Sequence, residues 1–138
     1  MNEAIAAKST TYTNLALLVL RLGVAISFFR NGWEALEHTG DMVYRVTMSG
    51  LAPLEPTALL NLIGLWDMTI GALLVLGVWT KRVAIPAALW LVVVVLVLSK
   101  VNGMEDVFDR LPYLATALAL TVLGGGEWNL AKLFRSRS

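Results

Sequence analysis

Ile63-Gly64-Leu65-Trp66-Asp67-Met68-Thr69-Ile70-Gly71-Ala72-Leu73-Leu74-Val75-Leu76-Gly77-Val78-Trp79-Thr80-Lys81-Arg82 decides the fold. It carries one acid in an otherwise apolar run and has no two-residue alternation. It also closes on a glycine, an aromatic and two bases. About 20 apolar residues make one helix across the hydrocarbon of a bilayer, so Ala58–Trp79 reads as a membrane span. Working outward, three more blocks of this kind appear. Asn14–Phe29, continued through Arg30-Asn31-Gly32-Trp33, gives a span over 14–33. Val83–Ser99 gives a third, and Val107–Leu123 a fourth. The last two are near the short limit, which flanking polar side chains accommodate by reaching for the interface.

Composition agrees. The 138 residues are 57% hydrophobic and 15% charged, with a mean hydropathy of +0.70. A soluble domain is about 25% charged. A formal net charge of +1 is too small for a nucleic-acid-binding face. The absence of cysteine removes thiol chemistry, disulfides and iron–sulfur clusters together. The expected fold is all-α: a single-domain, integral membrane four-helix bundle.

The connections punctuate this bundle. Thr80-Lys81-Arg82 is expected to form a hairpin between the second and third spans, and Asn102-Gly103 a turn before the fourth. Pro86 is expected in the first turn of the third span, where a missing N–H costs little, and Pro112 follows acidic residues suited to a helix start. The stretch 34–57 is too long for a hairpin. Its middle, Asp41–Val46, is amphipathic and suits a short helix on the membrane surface, and Leu51–Pro56 leads into the second span. Residues 124–138 form a basic tail. Lys8, Lys81, Arg82, Lys132, Arg135 and Arg137 fall on one side. Arg30, Arg45, Lys100 and Arg110 fall on the other, diluted by seven acids. Basic residues favour the cytoplasm, so both termini are expected there, in a bacterial inner membrane. Trp33, Trp79 and Trp128 then lie near the interfaces. Arg21 interrupts the first apolar block, which argues against a cleavable signal peptide.

Two charges fall inside spans, Arg21 and Asp67, each costing roughly 2.5–3.5 kcal/mol on insertion scales. Counted at about 1.5 Å per residue from the helix starts, both reach a similar depth, so a buried ion pair is expected. Gly64, Asp67 and Gly71 share a helix face, and the two glycines suit close helix packing. One reading makes the pair a registry device between the first two helices. Another makes it a ligand-orienting or proton-linked pair beside a pocket.

Several patterns resemble the DoxX-like family of small four-helix bacterial membrane proteins. They are Leu20-Arg21-Leu22-Gly23 leading into Arg30-Asn31-Gly32-Trp33, the opening stretch Ile63–Arg82, and Gly124-Gly125-Gly126-Glu127-Trp128-Asn129-Leu130. Asn31 and Glu34 stand where a histidine and a lysine are expected near the end of the family's first helix. The resemblance implies association with membrane redox systems. The expected role is a small, non-catalytic subunit of a larger electron-transfer complex, or a homo-oligomer, in contact with membrane lipids and shaping a quinone or lipid site. A self-sufficient quinone-linked component or small-molecule carrier using Arg21 and Asp67 is the alternative, and a pure scaffold a second one.

Candidate contacts for a quinone or lipid are Trp66 and Trp90 within the spans, and Arg30 with His38 at the outer surface. His38 is the one side chain whose unperturbed titration falls near neutrality. Glu34 and His38, four apart, make only two metal ligands, so no metal site is expected. Gly124-Gly125-Gly126 lacks the strand and Gly-Lys-Ser/Thr of a phosphate loop. No nucleophile–base pair or carboxylate dyad is apparent, so no catalytic residue is assigned.

Overall fold

The computed structural model describes residues 2–50 and 55–135, and all regular elements among them are helices. They are α1 (Asn2–Leu36), α2 (Gly40–Met48), α3 (Pro56–Leu76), α4 (Thr80–Val101), α5 (Met104–Leu123) and α6 (Leu130–Arg135). Leu51–Leu54, in the expected lead into the second span, and Arg137 of the basic tail lie outside the described residues.

Three helices, α1, α3 and α4, are long and apolar enough to cross a membrane. Each exceeds or shifts its expected bounds for a local reason. α1 starts well before Asn14. Its first turns are polar and exposed, with the Thr10, Thr11 and Thr13 hydroxyls donating to the carbonyls four residues earlier. α3 stops at Leu76, short of the expected Trp79. Gly77 takes φ 70° and its N–H returns to the Leu73 and Leu74 carbonyls, a left-handed stop that glycine adopts without strain. The hairpin is therefore Gly77-Val78-Trp79, three residues earlier than expected, and Thr80-Lys81-Arg82 opens α4. That shift moves Pro86 from a first turn to the helix interior, and Pro112 likewise sits inside α5.

α1 packs along α3, and α4 along α5. Close approach fixes the first pairing: a Cβ on Gly32 would stand 3.0 Å from the Gly64 carbonyl, and one on Gly64 would stand 2.6 Å from Leu36 Cγ. Lower down, Gly71 faces the Ala25 carbonyl. These contacts make α1 and α3 antiparallel and set their register.

Leu17, Val24, Ala25, Phe28, Ile70, Leu74, Val83, Ala84, Ala87, Ala88, Leu91, Ala117 and Leu120 form one buried apolar cluster. Around it the usual soluble pattern is inverted. Val19, Ile26, Leu62, Leu65, Leu89, Leu96 and Val122 face outward, while Asn14, Arg21, Ser27, Asn31, Asp67 and Thr80 are buried. Aliphatic side chains outside and polar ones inside suit a hydrocarbon solvent.

A buried carboxylate chamber and an arginine clamp

Arg21 and Asp67 are both 2% exposed, but they do not meet. Each belongs to a separate polar cluster at its own end of the helices. Arg21 Nη1 donates to the Gly125 carbonyl at 3.0 Å, and Nη2 to the Trp128 carbonyl at 2.9 Å. Two helical turns earlier on α1, Asn14 Oδ1 accepts the Glu127 N–H at 3.0 Å. The two residues clamp the chain between α5 and α6 against α1. Gly77 packs there too, its Cβ position 2.7 Å from Arg21 Nη1 and 2.6 Å from Asn129 Cβ.

The expected Arg21–Asp67 ion pair is thus corrected. Ion pairs among the described residues include Arg30–Glu34, Arg45–Asp41 and Arg45–Asp106, and neither Arg21 nor Asp67 is in one of these. The reason is register. With Gly32 against Gly64 and Ala25 against Gly71, Asp67 lies level with Phe29, two turns from Arg21 and roughly 12 Å along the axis. Moreover, helical side chains lean toward their own N-terminus, so in antiparallel neighbours these two lean apart.

Asp67 instead lines a chamber of about 90 Å³ between α1, α2, α3, α4 and α5. Leu60, Ile63, Val93, Val94, Val97 and Leu98 make it mainly apolar. Its polar side chains include Asn31, Arg45, Asp67, Trp90 and Arg110. The Trp90 indole N–H is within reach of the Asp67 carboxylate, and the Arg110 guanidinium acts on it electrostatically. Arg110 Nη1 donates to Asn31 Oδ1 at 2.8 Å, joining α5 to α1. Asp67 Oδ1 and Arg45 Nε are buried without a hydrogen-bond partner. An orphaned carboxylate oxygen costs about 1–3 kcal/mol or more, so it is either held for a purpose or met by water.

A second, polar crevice of about 630 Å³ opens beside the chamber. Arg45 and Arg110 belong to both walls. Arg30, Glu34, Asp41, Asp106 and Asp109 complete its charge. Arg45 Nη2 reaches Asp41 at 2.7 Å and Asp106 at 3.4 Å, tying α2 to α5.

The remaining candidates disperse. Trp66 is 43% exposed on the outer face and does not line the chamber. Arg30 sits in the crevice beside Glu34, and His38 Nε2 lies 2.8 Å from Asn61 Oδ1. No cluster of metal-ligating side chains occurs among the described residues. Sequence reasoning missed Asn31, Arg45 and Arg110. The sequence does carry a signal for Arg110, because the fourth span over 107–123 encloses it and a charge inside a span calls for a partner.

Long apolar helices around buried polar clusters define a small helical membrane protein. The family model named DoxX matches residues 16–100, more than half of the chain. The chain belongs to the DoxX family. No curated protein and no solved structure matches it. The matched region contains Asn31, Arg45, Asp67 and Trp90 of the chamber, whereas Arg110 lies beyond it.

Proposed function

We propose that the chain is a four-span protein of a bacterial inner membrane, both termini cytoplasmic, acting as a small non-catalytic subunit beside a larger redox complex. Its chamber and the crevice that adjoins it together receive the ring of a quinone or a comparable lipid headgroup. The observation that carries this reading is the chamber itself, in which aliphatic walls surround an indole, an amide, two guanidiniums and one carboxylate. A quinone ring needs apolar faces and donors at its carbonyl oxygens, and Trp90 with Arg110 supplies both kinds of contact. For the fourth crossing, α5 has 20 residues, enough for the hydrocarbon layer. Of its four charged residues, Asp106, Asp109 and Arg110 line the crevice, and Glu105 lies in the first turn at the helix end.

Purification in native-lipid discs, followed by solvent extraction and an absorption spectrum before and after chemical reduction, tests the ligand. A quinone present in equimolar amount, and depleted in Trp90→Ala, is expected. Mass spectrometry of the same preparation tests for a larger partner at fixed ratio. A protein carrying only phospholipid, alone or with copies of itself, would remove both parts of the reading.

A further inference from the structure

We propose that Asp67 exchanges water and protons with one side of the membrane only, the side carrying α2, through the charged crevice. The inference rests on the reading of the chain as a four-span membrane protein, and adds to it a direction of access.

Three observations meet at Asp67. Its Oδ1 is buried with no protein partner, so the group is open to a water or a proton. Arg45 and Arg110 form part of the chamber wall on one side and of the polar crevice on the other. Both therefore stand between the buried carboxylate and a larger space lined by charged side chains. Finally, an apolar layer separates Asp67 from the Arg21 cluster. Ile70 and Leu74 on α3, Ala87, Ala88 and Leu91 on α4, and Leu120 on α5 fill it. Closely packed aliphatic side chains in this layer leave no polar partner for a water chain between the two clusters, so the route ends at the carboxylate.

The charges around this route come from three elements. α1 contributes Arg30 and Glu34, α2 contributes Asp41 and Arg45, and α5 contributes Asp106, Asp109, Arg110 and Tyr113. From α4, Trp90 faces Asp67 with an indole that does not titrate, and on α3 Asp67 is the only titratable residue lining the chamber. Arg45 is held at the boundary by carboxylates on two elements, Asp41 and Asp106, which its Nη2 meets together. A proton crossing here moves between crevice water and the Asp67 carboxylate, and no other bond changes.

The chain has no cysteine, so single thiols report water access without a further background substitution. Ile63→Cys and Val94→Cys place them on the chamber wall, Leu74→Cys in the apolar layer, and Glu37→Cys with Lys81→Cys mark the two sides. In vesicles of known orientation, a membrane-impermeant cationic thiol reagent should label the chamber positions at least about tenfold faster from the α2 side, because the reacting thiolate needs water. Leu74→Cys should stay unlabelled from both sides. In a variant whose only tryptophan is Trp90, its fluorescence should follow a pH step on the α2 side and ignore one on the other. The added change Asp67→Asn should abolish that response.

Labelling of the chamber from the hairpin side, or equally from both, overturns the proposal, as does a Trp90 signal indifferent to pH on the α2 side. Reference positions that label from one shared side remove the barrier itself, and overturn the four-span reading together with it. A protein free of quinone that still exchanges from one side leaves this inference standing and sinks the quinone reading alone.

Discussion

Arg21 carries a full charge into the bundle without an ion-pair partner among the described residues, so its worth lies in the two carbonyls it satisfies. Each charge-assisted hydrogen bond of this kind contributes about 1.5–3 kcal/mol. Arg21→Gln is expected to lower stability in detergent by about 2–4 kcal/mol, because it removes the charge and leaves a carbonyl orphaned. The loss should be local first: limited proteolysis should cut within 124–129 of the variant while the wild-type protein resists. Protection of that segment in the variant would show that Asn14 and the packing of Gly77 hold it without the arginine. Asp67 follows a different logic, since an unmet oxygen in a chamber costs stability. That contrast was hidden in the sequence, where the two residues looked like one pair.

Between elements, the decisive contact is α1 on α3. Gly32 and Gly64 allow the two backbones to touch, and Met68 and Leu36 close over them. Gly64→Val adds atoms where the nearest neighbours include backbone, which cannot yield as a flexible side chain does. Thermal unfolding in detergent should show a destabilisation of about 1–3 kcal/mol, in the range of overpacked cores. Leu62→Val, on the outward face of the same helix, should leave the midpoint nearly unchanged. Equal effects would mean that this contact is looser than the geometry implies. Helix identity was legible in the sequence because apolar length alone specifies it. The helix ends were legible only in part: Gly77 could be read as a stop, yet the basic residues after it drew the expected hairpin three positions too late.

At the scale of the whole molecule, the question is whether α5 crosses the membrane. Lys132→Cys and Lys81→Cys should then label from the same side with an impermeant thiol reagent, and Asn102→Cys from the other. Lys132 labelling together with Asn102 would make α5 a surface element and the protein three-span. The polar crevice gives this test its interest, because α5 supplies Asp106, Asp109 and Arg110 to it. Their charges keep α5 from meeting the apolarity of α1, α3 and α4, although it packs against α4 as a full-length partner.

Membrane class, helical fold, family patterns and the presence of Arg21 and Asp67 inside apolar segments all follow from the order of residues. They depend on local composition, on segment length and on the cost of charge in hydrocarbon. Which charge meets which group could not follow from depth counted along separate helices. That outcome depends on a register set by glycine contacts between α1 and α3, and on side chains leaning apart in antiparallel neighbours. Only the tertiary structure could join Arg45, Arg110 and Trp90 around Asp67, or fold Gly125 and Trp128 back onto Arg21. Residues more than a hundred positions apart come within hydrogen-bonding distance there, and no local pattern encodes that closeness.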